Sequence, residues 1–214
     1  METSMTFVVA DDHSMVRQGV SFLLNDTYPE AKVLQTGSFL EILKLVNQEK
    51  INLLLLDINF PDGTSLNIIP TIKKLQPNIK ILIFSAYDEE MYAMRYLNVG
   101  ANGYLQKLST EEEIKYAVNS VITNGKYVSK NIQNKIMDSF ILKKPLNPLE
   151  ILSNREIEIA KLLVQGVSSS KIAETLNIKK TTVSTYKNRV FEKLDINNLS
   201  SLISLFHLYY FKEA

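Results

Sequence analysis

The sequence predicts an α/β domain built on a doubly wound parallel sheet, followed by a small all-α domain. Over roughly the first 125 residues, short apolar segments alternate with amphipathic helical patterns. A lysine- and asparagine-rich segment with Pro145 and Pro148 comes next, and a helix-capping sequence opens a helical stretch at Ser153. The chain has 214 residues, with 45% hydrophobic and 22% charged, which suits two small globular domains.

Five short apolar segments predict the strands of the first domain. They are Thr6–Ala10, the weaker Val33–Leu34, Ile51–Leu56, Ile79–Phe84 and Ala101–Leu105. Near-continuous apolar runs of this kind are typical of strands that are buried on both faces of a parallel sheet.

Apolar residues at helical spacing predict one helix after each strand. The five sets are Val16, Val20, Leu23 and Leu24; Phe39, Ile42, Leu43 and Val46; Leu66, Ile69, Ile72 and Leu75; Met91, Met94, Tyr96 and Leu97; and Ile114, Val118, Val121 and Ile122. Pro70 crosses the third set, so we expect that helix to bend or to start late. Five β/α units predict the flavodoxin-like (βα)5 arrangement, in which ligands bind at the carboxyl ends of the strands.

Composition excludes several classes of site. The chain has no cysteine, which rules out disulfides, thiolate metal sites and a cysteine nucleophile. The two histidines, His13 and His207, lie far apart in the sequence, which argues against a histidine-rich metal site. No apolar run reaches the roughly 18–20 residues of a transmembrane helix, and the N-terminus lacks the features of a signal peptide. We therefore expect a cytoplasmic protein with no membrane partner.

The charges divide unevenly along the chain. Residues 1–125 carry a net charge of −5, residues 126–149 carry +4 and residues 150–214 carry +2. An acidic first part and a basic remainder suggest two parts with different partners, the second of which could be nucleic acid. A merely solvated basic surface would give the same charge.

Polar residues collect where the predicted strands end. Asp11 and Asp12 follow the first strand, Asp57 the third, Ser85 the fourth and Lys107 the fifth. Three carboxylates at one place repel each other unless a cation joins them, and Mg2+ prefers such oxygen ligands. A carboxylate beside Mg2+ can act as a nucleophile toward phosphorus and form an aspartyl phosphate, whose oxygens Ser85 and Lys107 would contact. Each residue alone could be a helix cap, a turn or a solvated side chain, but the set of five favours a functional site.

Residues 5–124 resemble the receiver domain of two-component response regulators. The resemblance rests on ADD at Ala10–Asp12, LLLLDINFPDG at Leu53–Gly63, FSAYD at Phe84–Asp88 and GYLQK at Gly103–Lys107. The sequence differs from the family pattern at Ser65, where a glycine is usual, and at Leu108, where many receivers have proline.

The resemblance implies a role for each residue of the set. Asp57 would be the phospho-acceptor, and Ser85 and Lys107 would contact the phosphoryl group. Asp12 would bind Mg2+ directly, with Asp11 nearby and with the main-chain carbonyl of Asn59 completing the protein ligands. Tyr104 would be an aromatic switch that turns inward when Ser85 moves toward the phosphate; the residues alone favour an ordinary strand aromatic.

The remainder of the chain predicts a linker and a helical domain. Residues 125–149 are interpreted as a linker that is part helical, with Ile132 and Ile136 at helical spacing. From residue 150 to residue 214 we expect helices, the first opened by a capping box from Ser153 to Glu156. A short helix, a turn and a helix with a polar face, starting near Lys180, fit a helix-turn-helix. The alternative is a three-helix bundle with a solvated polar face.

Two stretches of this domain resemble the LuxR/FixJ-type (NarL-like) DNA-binding domain. They are LSNREIEIAKLLVQG at Leu152–Gly166 and SKIAETLNIKKTTVSTYKNRVFEKLDI at Ser170–Ile196. The resemblance implies that Lys180–Leu194 is the recognition helix in the major groove. The residues facing bases would be Ser184, Thr185 and Asn188, and the candidates for contacts with the DNA backbone are Thr182, Lys187, Arg189 and Lys193. No arginine is in the groove-facing set, so a bidentate contact with guanine is not expected from it.

The last predicted helix is apolar on nearly every side. Its apolar positions are Leu199, Leu202, Ile203, Leu205, Phe206, Leu208, Tyr209 and Tyr210. One side can close the small bundle, and the rest could pack against a second subunit, as the family's last helix does. The alternative is a terminal helix that is fully buried within one subunit.

Together these features predict a two-component response regulator and transcription factor. A sensor histidine kinase would supply the phosphoryl group to Asp57, and phosphorylation would control formation of a homodimer and binding to double-stranded DNA. The rival enzyme is a Mg2+-dependent phosphatase of the haloacid-dehalogenase class, but Asn59 stands where such enzymes usually carry an acid. We therefore expect no enzyme activity apart from the receiver's own autophosphorylation and dephosphorylation. A third interpretation is a regulator that binds DNA without phosphorylation and uses its receiver to dimerise.

Overall fold

The computed structural model describes residues 5–142, 145 and 147–210. The chain divides into two compact units, Met1–Lys135 and Ile136–Ala214. The first unit is α/β and the second is all-helical, so the predicted fold classes are confirmed.

Among the residues that the structure describes, the first unit contains seven strands and the helices between them. Their bounds are β1 Thr6–Ala10, α1 Ser14–Thr27, β2 Lys32–Thr36, α2 Phe39–Gln48, β3 Leu53–Leu56, β4 Asn59–Phe60, β5 Gly63–Thr64, a 3-10 turn Ser65–Asn67, α3 Ile69–Leu75, β6 Lys80–Ser85, α4 Glu89–Asn98, β7 Gly103–Gln106 and α5 Glu111–Asn124. Helix α6, Lys130–Leu142, starts in this unit and crosses into the next.

Five of these strands form a parallel sheet in the order β2-β1-β3-β6-β7. This is the flavodoxin-like order that the alternating pattern predicts. All residues of β1 and β3 are buried, because helices cover both faces of the central strands. On one face the core includes Phe7, Leu55, Leu82, Val118 and Val121.

The chain after Asp57 does not run directly into helix α3. It forms a short antiparallel hairpin, in which Asn59 pairs with Thr64 and Phe60 with Gly63. Gly63 has φ +130°, a value that favours glycine. The turn thus has its glycine two residues before Ser65, which is fully buried and whose hydroxyl donates to the Tyr96 hydroxyl (3.4 Å).

Pro70 delays the third helix rather than bending it. α3 begins at Ile69, so the proline lies in its first turn, where a missing N–H breaks no helical hydrogen bond. The predicted apolar position Leu66 lies in the preceding 3-10 turn instead.

The segment after α5 packs against β7. Gly125 ends α5 in a left-handed conformation (φ +77°), and Tyr127 then forms a bridge with Gly103. A Cβ atom on Gly103 would lie 2.7 Å from the carbonyl oxygen of Tyr127 and 2.9 Å from Leu82 Cδ1. Only glycine lets the two backbones approach this closely. Ile132, in the first turn of α6, is also buried.

The second unit is a small helical bundle. Its elements are a 3-10 turn Pro148–Ile151, α7 Asn154–Val164, α8 Ser169–Thr175, α9 Lys180–Leu194 and α10 Leu199–Tyr209. The predicted capping box is present, since Ser153 and Glu156 satisfy each other's backbone N–H groups. The core is formed by Leu149, Leu152, Ile159, Ala160, Leu163, Ile172, Ala173, Val183, Val190, Leu194, Leu202 and Phe206.

Helix α10 buries only part of its apolar surface. Leu202, Phe206 and Leu208 are buried, whereas Tyr210 is 41% exposed and Ile203 and Leu205 are half-buried. Within the described part of the chain, no helix combines the length and the hydropathy needed to span a membrane.

We predict that Gly103→Ala destabilises the first unit by about 1–3 kcal/mol, because the added methyl group would overlap backbone and core atoms. Gly19→Ala is the matched control, since a Cβ atom there meets nothing within 4 Å. That change lies inside α1 and should be neutral or stabilise by about 0.5–1 kcal/mol. Urea unfolding of the full chain measures both, and equal stability of the two variants would contradict the close approach.

Candidate functional site

The predicted site residues of the first unit meet at the carboxyl edge of the sheet. Asp11 follows β1 and Asp57 follows β3; both are buried, at 2% and 6% exposure. Lys107, just after β7, lies between them. Its Nζ is 2.9 Å from Asp57 Oδ2, to which it donates a hydrogen bond, and 2.7 Å from Asp11 Oδ2 in an ion pair. One ammonium group therefore compensates two buried carboxylates.

Burial and neighbouring charges act in opposite directions on the pKa values of Asp57 and Lys107. Burial raises the pKa of Asp57 above its ordinary value, although the hydrogen bond and charge of Lys107 act in the opposite direction. Burial alone would lower the pKa of Lys107, but its contacts with Asp11 and Asp57 outweigh this and raise it. Lys107 thus stays charged, and the site keeps an excess of negative charge.

The donor set fits a divalent cation. Asp11, Asp12, His13 and Asp57 each offer one ligand atom, and these four atoms lie within 4.8 Å of one another. Carboxylate oxygens at this spacing suit a hard cation such as Mg2+. The predicted ligand Asp12 is exposed, whereas Asp11 is buried.

His13 belongs to this cluster, although it is not among the predicted site residues. Its Nδ1 is 2.6 Å from Asp12 Oδ1 and 3.4 Å from Asp11 Oδ1. Its backbone N–H also donates to Asp11 Oδ1 (2.9 Å). The only signal in the sequence is its position directly after the two acids.

Ser85 and Tyr104 are linked through the loop that follows β6. The hydroxyl of Ser85, which is 1% exposed, accepts from the backbone N–H of Tyr87 (3.3 Å). The hydroxyl of Tyr104 donates to the carbonyl oxygen of Tyr87 (2.9 Å). Burial raises the pKa of the Tyr104 hydroxyl. Tyr104 is 2% exposed, so it is already buried in this structure, whereas an inward turn was predicted to accompany a movement of Ser85.

The predicted ligand Asn59 contacts the same loop. Its side-chain amide donates to the Tyr87 hydroxyl (2.7 Å), and the Tyr87 ring packs on that of Tyr92, with centroids 4.8 Å apart. The loop thus connects the hairpin after Asp57 with helix α4.

Helix α4 in turn holds the segment after α5. The hydroxyl of Ser129 donates to Glu89 Oε1 (2.9 Å), and Lys135 Nζ lies 3.0 Å from Glu90 Oε2. Both acids are in the first turn of α4, which starts two residues after Tyr87. A set of contacts therefore runs from the hairpin after Asp57, through Tyr87 and α4, to Ser129 and α6.

The predicted recognition helix, α9, presents a polar face. Ser184, Thr185, Asn188 and Arg189 are exposed, and Thr182 and Lys187 are half-buried. The hydroxyls of Ser184 and Thr185 donate to carbonyl oxygens one turn earlier, those of Lys180 (3.3 Å) and Thr181 (3.0 Å) respectively.

Two basic side chains of α9 pack on aromatic rings of the same helix. Lys187 Nζ lies 5.3 Å from the centroid of Phe191, and Arg189 Cζ lies 5.9 Å from that of Tyr186. These contacts hold the two charges near the helix surface.

Lys193, a predicted candidate for a contact with the DNA backbone, pairs with a buried acid in this structure. Its Nζ lies 2.7 Å from Oε2 of Glu156, whose side chain is 5% exposed. Burial opposes ionisation of Glu156, but Lys193 and the donors of Ser153 outweigh it and hold its pKa below the ordinary value. The helical pattern of α9 could not reveal a partner that comes from α7.

Family models match both units. The model described as the response regulator receiver domain matches residues 7–119, and the model for bacterial regulatory proteins of the luxR family matches residues 150–206.

Curated relatives match along nearly the whole chain. The chain is 33% identical over 207 residues to the oxygen regulatory protein NreC of Staphylococcus haemolyticus (strain JCSC1435), covering 93% of this chain and 95% of that protein. It is 31% identical, with the same coverage, to the NreC protein of Staphylococcus carnosus (strain TM300).

Solved structures share the fold. A structure of two RcsB dimers bound to two parallel DNAs has a TM-score of 0.77 at 19% identity and covers 96% of this chain and 98% of its own. RcsB from Salmonella enterica serovar Typhimurium, bound to promoter P1flhDC with the phosphomimetic BeF3-, has a TM-score of 0.74 at 20% identity and covers 95% and 98%.

We predict that Lys193→Met lowers the stability of the second unit by about 1–2 kcal/mol at pH 7, because Glu156 loses its charged donor. Lys193 is 42% exposed, so solvent screening keeps this loss moderate. The pKa of Glu156 is held below its ordinary value of 4.5. The difference in stability between Lys193→Met and the wild type should therefore have its full size above pH 4.5 and shrink as the pH falls below that value. Urea unfolding at several pH values measures it.

Lys171→Met is the control for this prediction. Lys171 pairs with Glu174 at 2.9 Å, but both side chains are exposed, so the change should cost no more than about 0.5 kcal/mol. An equal loss in the two variants, or a loss at Lys193 that does not depend on pH, would show that the buried pair does not stabilise this unit.

Proposed function

The chain belongs to the response regulators that join a receiver domain to a LuxR-type regulatory domain, and from this we propose that phosphorylation of Asp57 controls DNA binding by helix α9. The observation that carries the proposal is the buried Asp57 carboxylate, held by Lys107 beside Asp11 and Asp12. We take the receiver as residues 1–124, the linker as 125–149 and the DNA-binding domain as 150–214.

The chemistry follows from the donors around Asp57. A carboxylate oxygen of Asp57 attacks the phosphorus of a donor, a sensor histidine kinase in the cell, and the leaving group departs with the electrons of the broken bond. Asp11, Asp12, Asp57 and the main-chain carbonyl of Asn59 would hold Mg2+, which supplies positive charge to the phosphoryl oxygens. Lys107 and the Ser85 hydroxyl donate to those oxygens.

Movement of Ser85 provides the link to the rest of the receiver. To contact a phosphoryl group, its hydroxyl would leave the backbone N–H of Tyr87. Tyr87 also accepts from Tyr104 and contacts Asn59, so its loop would adopt a new position that favours the active state. Since Tyr104 is already inward in this structure, its part in the switch is to hold the loop rather than to travel far.

Helix α9 would lie in the major groove of double-stranded DNA. Ser184, Thr185 and Asn188 are exposed and are proposed to face bases; the Asn188 amide suits the two hydrogen-bonding atoms of adenine. The proposed backbone contacts come from Thr182, Lys187 and Arg189, and from Lys193 only where it can leave Glu156.

The active form would be a homodimer. Ile203 and Leu205 of α10 are half-buried and Tyr210, directly after the helix, is exposed, which leaves apolar surface for a second copy. The related RcsB structure contains DNA-bound dimers, which supports this assembly. A kinase-supplied phosphoryl group and chromosomal DNA both imply the cytoplasm, and we assign no catalytic activity beyond the receiver's own phosphorylation and dephosphorylation.

The first test is the intact mass of the protein after incubation with Mg2+ and acetyl phosphate. We expect a gain of about 80 Da, one phosphoryl group, that is absent from Asp57→Asn. Asp62→Asn is the control, because Asp62 lies on the same stretch after β3 but outside the acidic cluster. DNA affinity and dimer content should rise with the phosphoryl group. No mass gain, with DNA binding intact, would favour a regulator that works without phosphorylation.

The second test concerns Tyr104. Tyr104→Phe removes the donor to the Tyr87 carbonyl, so we expect normal phosphorylation but a roughly fivefold smaller gain in DNA affinity, the value of about one hydrogen bond. Tyr104→Ala should reduce the gain further. Tyr116→Phe, at a tyrosine that is 66% exposed, is the control. The relay is wrong if phosphorylated Tyr104→Ala binds DNA as the wild type does.

A further inference from the structure

Arg17 holds the loop that carries two of the acids. It lies in the first part of α1, and its Nη1 donates to the carbonyl oxygens of Asp11 (2.6 Å) and Asp12 (3.1 Å). One guanidinium nitrogen thus joins two consecutive carbonyls between β1 and α1. Because each carbonyl fixes the peptide next to its own side chain, the contact restricts where both carboxylates can lie.

Other contacts of this loop hold its side chains: the His13 N–H donates to Asp11 Oδ1 (2.9 Å), and His13 Nδ1 lies 2.6 Å from Asp12 Oδ1. His13, which precedes α1, makes no side-chain cap hydrogen bond to the helix, and no acid lies in the first turn. On the strand side, the N–H of Asp11 donates to the carbonyl of Thr36 (3.2 Å), which continues the pairing of β1 with β2. The backbone N–H of Arg17 donates to the carbonyl of His13 (3.2 Å), and its side chain adds the hydrogen bonds that tie the carbonyls of Asp11 and Asp12 to α1.

Gly37 makes room for this arginine. A Cβ atom at position 37 would lie 3.2 Å from Arg17 Nη1, 3.7 Å from Cζ and 3.7 Å from the carbonyl oxygen of Asp11. The φ of Gly37 is not positive, so its backbone does not require glycine. The space is needed for the guanidinium group, and position 37 offers a second, independent way to disturb the same contact.

We propose that Arg17 is a positioning residue that sets Asp11 and Asp12 for the divalent cation without touching it. The inference rests on the proposed function, since it concerns the cation that accompanies phosphorylation of Asp57. It assigns to α1 a role in cation affinity that is separate from the phosphoryl contacts of Ser85 and Lys107.

Two effects of Arg17 on cation affinity have opposite signs. Its positive charge repels a cation, so its removal would strengthen binding if charge dominated. Its hydrogen bonds fix the ligands, so its removal weakens binding if positioning dominates; loss of such outer contacts typically costs about 10–100-fold in metal affinity. The guanidinium group points at carbonyl oxygens rather than at the carboxylates, which makes positioning the larger effect.

The experiment is calorimetric titration of the full chain with Mg2+, alongside the Mg2+ dependence of phosphorylation by acetyl phosphate. We expect Arg17→Ala to weaken Mg2+ binding about tenfold, while the phosphorylation rate at saturating Mg2+ falls far less. Arg17→Lys, which keeps the charge and one donor, should recover part of the affinity. Gly19→Ala, on the same helix and with free space around it, should bind Mg2+ as the wild type does.

Gly37→Ala tests the contact from the other side and keeps the arginine in the protein. It should weaken Mg2+ binding by a smaller factor, and the double variant Arg17→Ala/Gly37→Ala should bind no worse than Arg17→Ala, because both changes disturb one contact. Circular dichroism checks that each variant folds. If Arg17→Ala does not fold, the Mg2+ affinities of Arg17→Lys and Gly37→Ala still test the positioning role.

The outcomes separate this inference from the proposed function. If the wild type binds Mg2+ and is phosphorylated but Arg17→Ala and Gly37→Ala bind Mg2+ as tightly or more tightly, the positioning role is wrong and the function stands. Fully additive losses in the double variant would also overturn it. A wild type that neither binds Mg2+ nor is phosphorylated overturns the proposed function and this inference with it.

Discussion

The rest of the receiver depends on one lysine that pairs with two buried carboxylates and offsets part of their charge. Asp11 and Asp57 come from neighbouring strands, and their charges could not stay buried together without Lys107 at the end of a third. Parallel pairing of β1, β3, β6 and β7 brings these strand ends to one edge. The sheet order thus sets the electrostatics of this edge as well as its packing, and the remaining negative charge suits a divalent cation.

The strands and the acid–lysine set could be predicted from the sequence because both follow from a simple geometric rule. Apolar runs bury in a parallel sheet, and the residue after each run lies at the same edge, so Asp57 and Lys107 come together. The β4–β5 hairpin could not be predicted, since two-residue strands carry no period. His13 and Arg17 were also missed, because one contributes through its place in a loop and the other through contacts with backbone carbonyls.

The helical unit shows a different limit. Its helices and capping box could be predicted, since caps and apolar spacing are local signals. The ion pair of Lys193 could not be predicted, because its partner Glu156 comes from another helix and is buried only in the folded bundle. A polar face identified by helical spacing thus includes side chains that are already engaged within the protein, and only the folded structure separates them from the free ones.

The approach of Tyr127 to Gly103 bears on how the receiver can be isolated as a fragment. The backbone bridge and the buried side chain of Ile132 lie beyond α5, so a fragment that stops at Asn124 would uncover an edge of β7 and part of the core. A recombinant receiver should instead extend through Lys135, the last residue of the first compact unit. Its terminus would then fall on a helix that is already tied to α4, and the strand that carries Tyr104 would keep its natural neighbour.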